Sequence, residues 1–145
     1  MRIWLRRTGY RPVETGIAFN PGRSAEIVTE IRQRAEREFL YGGRRITVIS
    51  HSLGGLRARS VARRRPHAIA RLIMLGVPLT FATGLEPASV AITSIYVWMD
   101  LPYQPRARAS HADNLQVKGS HDGSEVNRRV YARVAELLRR PDSSP

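Results

Sequence analysis

Thr47-Val48-Ile49-Ser50-His51-Ser52-Leu53-Gly54-Gly55-Leu56 is the stretch on which the fold of this chain turns. A β-branched apolar run over residues 46–49 reads as a short buried strand, and an arginine-rich helical pattern follows it. Between them stands Ser52, flanked by small residues. That layout predicts a nucleophile elbow, a sharp strand-to-helix turn that lifts a serine Oγ clear of a parallel sheet. Such a turn strains the serine backbone, so residues two before and two after it must be small. Gly54 meets that demand, Ser50 takes the place of the more usual glycine, and Gly55 allows a second close approach.

Alternating strands and helices extend outward in both directions. Before the elbow, residues 44–50 form its strand, and Gly42-Gly43 close a helix whose buried face repeats every four residues through Ile27, Ile31, Ala35 and Phe39. Ser24 is placed to cap that helix, with Glu26 in its first turn. Earlier still, Asn20-Pro21-Gly22 is a turn, residues 12–20 read as an extended segment, and residues 1–10 read as a helix end stopped by Gly9.

After the elbow helix, residues 53–65, comes the stop at Pro66. Residues 69–78 then form a continuous apolar strand, as a parallel sheet covered on both faces requires. A loop-like connection leads to a strand over residues 90–99 that ends at Asp100, and a Pro- and Arg-rich loop follows. Residues 114–118 form a short last strand before Gly119-Ser120-His121-Asp122-Gly123. Val126, Val130, Val134, Leu137 and Leu138 stripe the closing helix. This alternation argues a parallel, doubly wound sheet.

Composition narrows the function. The 145 residues suffice for one domain with a real core, and 42% hydrophobic with 25% charged residues is a globular profile. With no cysteine there is no disulfide, thiol nucleophile or thiolate metal site. No apolar run is long enough to span a membrane and the opening residues lack a signal peptide's apolar core, so the expected compartment is cytoplasmic. A net charge of +12 raises nucleic-acid binding. The arginines, however, are scattered over every segment without a recognition motif. The densest cluster, Arg63-Arg64-Arg65, closes a helix, where cations suit the dipole. The charge is read as a solvated surface, with no nucleic-acid partner.

In its elbow and in this order of elements, the chain resembles the α/β-hydrolase superfamily, specifically its lipase- and esterase-like members. The resemblance implies an α/β three-layer sandwich over residues 1–140, with residues 141–145 as a flexible tail. It implies a mostly parallel sheet of about five strands, lacking the N-terminal strands and the cap or lid of full-length members. A truncated domain is therefore expected, with an apolar sheet edge that invites homo-oligomers.

A serine hydroxyl needs a base to take its proton, and the base needs a carboxylate to hold its tautomer. Of the four histidines, His121 lies in the loop after the last strand and matches the family pattern G-S-H-x-G. His51 lies inside the elbow, and His67 and His111 lie in connecting loops. Asp100 follows a strand within Thr93-Ser94-Ile95-Tyr96-Val97-Trp98-Met99-Asp100, similar to the family's acid-bearing strand; Asp113, Asp122 and Glu86 are rivals. The order Ser52, Asp100, His121 is the family's order. The Leu53 N–H would supply half of an oxyanion hole, whose second donor belongs in relatives to an earlier strand and loop that this chain is expected to lack. The implied activity is hydrolysis of carboxylic esters, small or lipid, without cofactor or metal. The alternative is a hydrolase remnant, weak or inactive, that binds or associates.

Overall fold

Ile69–Leu75 is a strand whose seven residues are all buried, and the other elements are arranged about it. The computed structural model describes residues 1–13, 24–77, 89–97, 112–119 and 126–141. In chain order these form α1 (Arg2–Arg7), α2 (Ser24–Gly42), β1 (Ile46–His51), α3 (Gly54–Arg64), a 3-10 turn (Pro66–Ala68), β2 (Ile69–Leu75), β3 (Ala91–Val97), β4 (Asp113–Val117) and α4 (Arg128–Arg139). Neighbouring strands pair in parallel in the order β1-β2-β3-β4. The extended segment expected over residues 12–20 lies, beyond Val13, outside the described residues. The sheet expected to have about five strands is represented by four.

The alternation of side chains along β2 builds two cores. Leu72 and Met74 face α2 and α3, packing with Ile31, Ala35, Val61 and Ala62. Ile73 and Leu75 face the other way, onto Ile95, Val97 and the α4 stripe Val130, Val134 and Leu137. Trp4 of α1 joins this second layer and meets Tyr131 of α4 edge-to-face, with ring centroids 4.9 Å apart. The result is a parallel sheet covered on both faces, as the alternating pattern argues, in the three-layer α/β sandwich that the resemblance implies. Each large aliphatic side chain withdrawn from water here contributes about 1.5–3 kcal/mol.

Two buried arginines interrupt this apolar order. Arg71, inside β2, donates to the backbone carbonyls of Leu137 and Pro141 at the end of α4. Its cation therefore satisfies carbonyls at the negative end of the helix dipole, which ties α4 to the sheet. Arg59 on α3 is 3% exposed and its Nε has no hydrogen bond among the described residues. Burial pushes its guanidinium below the ordinary arginine value. His67, expected in an exposed link, is exposed, and its Nε2 lies 3.2 Å from the Glu36 carboxylate.

Candidate active site

β1 delivers Ser52 to the carboxyl ends of the strands. His51 is in register with Leu75 of β2, and the Ser52 N–H donates to the Leu75 carbonyl at 2.9 Å. The turn then reverses the chain into α3, where Gly55 N–H donates to the Ser52 carbonyl at 3.0 Å. Ser52 has φ +49 and is the one non-glycine residue with positive φ among those described. A left-handed conformation costs an L-residue about 1–2 kcal/mol, so the surrounding bonds must hold it there. This is the backbone strain that the sequence of the elbow predicts.

The flanking residues divide the work unequally. Ser50 Oγ donates to the Ile73 carbonyl across the sheet at 3.4 Å, a long bond. His51 is half-buried in the same strand. A Cβ added at Gly54 would meet no described residue within 4 Å, whereas one at Gly55 would overlap the Val77 side chain. Among the described residues, the close steric contact falls on Gly55. The reason is tertiary: Gly55 is the point where α3 crosses the end of β2, and Val77 is 1% exposed beneath it.

Leu53 caps α3 with an αR backbone, and no side chain caps the helix N-terminus. The first N–H groups of a helix have no partner within it, and they carry the positive end of its dipole. α3 therefore points a partial positive charge at the position of Ser52. Among the described residues, no group of three or more His, Asp or Glu side chains gathers to hold a metal. Asp100 and His121, the other two expected members of the site, lie outside the described residues, as do Glu86, His111 and Asp122.

What is described is how the segment bearing His121 is anchored, through a residue that the sequence reading passed over. Asn127 Oδ1 accepts from the Arg129 N–H at 2.9 Å, capping α4, and its Nδ2 donates to the Lys118 carbonyl at 2.8 Å. One side chain thus clips together the end of β4 and the start of α4. A Cβ at Gly119 would collide with that amide, so Gly119 allows the clip to close. An Asn just ahead of an amphipathic run is a helix-start signal that would have found it. Asn127→Ala is expected to cost about 1–2 kcal/mol, the range for losing a capping side chain. Asn127→Asp, which keeps the acceptor and loses the donor, should cost less than half of that. Thermal unfolding of the two variants checks the ordering.

No family model matches the chain. The pimeloyl-[acyl-carrier protein] methyl ester esterase of Aromatoleum aromaticum is 32% identical over 97 residues, covering 62% of this chain. The chain spans 39% of that relative's length. This partial match supports the α/β-hydrolase superfamily.

Proposed function

We propose that the chain is a serine hydrolase of carboxylic esters, with Ser52 as nucleophile, His121 as its base and Asp100 as the carboxylate orienting that base. The observation that carries this is the left-handed backbone of Ser52 at a strand-to-helix turn. Strain of that kind is retained where it serves a site. The reach of the chain permits the rest. Asp100 is three residues beyond the end of β3 and His121 four beyond the end of β4. At about 3.5 Å per residue both can reach across strands spaced about 4.8 Å apart.

In the mechanism, His121 accepts the Ser52 Oγ proton as Oγ bonds to the ester carbonyl carbon. The carbonyl oxygen, now an oxyanion, takes a hydrogen bond from the Leu53 N–H at the positive end of α3. Collapse of the intermediate breaks the bond to the alcohol oxygen, which leaves with the proton held by His121. Water, deprotonated by the same histidine, then releases the acid and restores Ser52. The substrate class is a small or lipid acyl ester. The relative's name, a methyl ester of a carrier-bound acyl chain, belongs to that class.

A fluorophosphonate probe tests the nucleophile directly. Stoichiometric labelling that maps to Ser52 and disappears in Ser52→Ala is expected. A folded protein that stays unlabelled overturns the proposal. That result would favour a second reading, a module that associates without turnover. β1 is the outermost strand of the described sheet and all six of its residues are only half-buried, so its edge could pair with a second copy.

A further inference from the structure

We infer that the outer face of α1 and α4 docks on an anionic phospholipid bilayer. In the sequence, the +12 charge looks evenly spread. The fold sorts it. α1 contributes exposed Arg2, Arg6 and Arg7 and no acid. Residues 128–140 contribute five more exposed arginines and one carboxylate, Glu136, which pairs with Arg133 at 2.7 Å. Among the described residues of α1 and 128–140, eight arginines against one glutamate leave +7. Asp113 approaches it only at 3.7 Å from Arg140. Across the sheet, α2 carries three arginines and four glutamates and α3 four arginines and no acid, a net +3, and of those arginines only Arg37 and Arg64 are exposed.

Helix stability does not account for this placement. Arg139 and Arg140 suit the negative end of α4, but Arg128 and Arg129 occupy its first turn, where cations oppose the dipole and no acid offsets them. An anionic partner would reward them. Apolar groups are exposed on the same elements: Ile3 is 64% exposed, Val126 just ahead of α4 is 76% exposed, and half-buried Trp4 meets Tyr131 edge-to-face between the two helices. Arginine forks fit phosphate oxygens. Exposed Ile and Val together with Trp and Tyr fit the boundary between headgroups and acyl chains. Nucleic acid would satisfy the first set and leave the second in water; an anionic bilayer satisfies both. No described helix is long and apolar enough to cross a membrane, so the protein would lie on the surface. The inference stands whether or not Ser52 is a nucleophile.

The test is co-sedimentation of the full chain with phosphatidylcholine vesicles, with and without about one-third phosphatidylglycerol, at about 0.15 M salt. Binding only to the anionic vesicles is expected. Arg6→Gln/Arg128→Gln/Arg129→Gln should lower partitioning about 100-fold, at about fivefold per cation. This variant keeps its fold, because two of the three changes remove cations from the wrong end of a helix; circular dichroism confirms it. Arg32→Gln/Arg34→Gln/Arg37→Gln on α2 should change partitioning less than twofold, and Ile3→Ser should weaken it severalfold. Failure of the wild type to bind, equal losses for both triple variants, or retention on duplex DNA at salt that strips the protein from vesicles would each overturn the inference.

Discussion

Ser52→Ala is expected to lower ester hydrolysis by roughly 10⁴- to 10⁶-fold, the loss seen when a serine nucleophile is removed from an otherwise intact site. The residual rate should not fall further when His121→Gln is added, because serine and base act as one unit and their losses do not multiply. Asp100→Asn, which leaves the imidazole in the wrong tautomer, should cost about 10⁴-fold by itself. Ser52→Gly separates chemistry from backbone. It abolishes the reaction equally, yet it relieves the positive φ that alanine keeps. It should therefore unfold about 1 kcal/mol later than Ser52→Ala, about 3 °C in a chain of this size. Steady-state rates on a p-nitrophenyl ester and thermal melts of the four single and double variants decide the matter. A Ser52→Ala protein that hydrolyses at the wild-type rate removes this side chain from the chemistry. Multiplicative losses for Ser52 and His121 would separate the pair.

How much of this was legible from the chain alone follows the range of the interactions. The elbow was, because strand, serine and glycines are consecutive and the strain at Ser52 is dictated within a few residues. β2 was, because seven buried residues in a row leave few other assignments. Arg71 was read as part of that apolar run, and its role depends on Leu137, 66 residues away. No local pattern announces a cation that reaches past its own strand to close a distant helix. Where the exposed arginines gather was not legible for a related reason. Arg2 and Arg128 lie at opposite ends of the chain, and tertiary packing, including Trp4 on Tyr131, brings α1 and α4 into one layer. Asp100 and His121 rest on the family pattern and on the reach of the strands that anchor them.

Gly55→Val should be the most damaging substitution in the elbow after loss of the serine itself. The local chemistry argues the other way. Gly55 lies inside α3 without positive φ, where alanine would be preferred by about 1 kcal/mol. The objection comes from Val77, whose Cγ1 and Cβ would lie 3.0 and 3.1 Å from a new Cβ and whose Cγ2 would lie closer still. Val77 cannot swing aside: it is β-branched, fully buried, and follows Gly76, which is held at φ +55 with its N–H bonded to the Ile95 carbonyl at 2.9 Å. Overpacking such a point costs about 1–3 kcal/mol, so Gly55→Ala should lose about 1–2 kcal/mol net and Gly55→Val about 3 kcal/mol or more. Activity should fall faster than stability, because the same end of β2 holds the Ser52 N–H through the Leu75 carbonyl. A displacement of about 1 Å there costs about 100-fold in rate. Gly54→Ala, one residue away and open among the described residues, should be tolerated. Val77→Ala supplies the decisive comparison. By itself it leaves a cavity and destabilises, but combined with Gly55→Ala it makes room for the added methyl. The double variant should be more stable than the sum of the two by about 1–3 kcal/mol. If the two effects add to within about 0.5 kcal/mol, Gly55 and Val77 are not in contact and the close crossing of α3 over β2 is wrong.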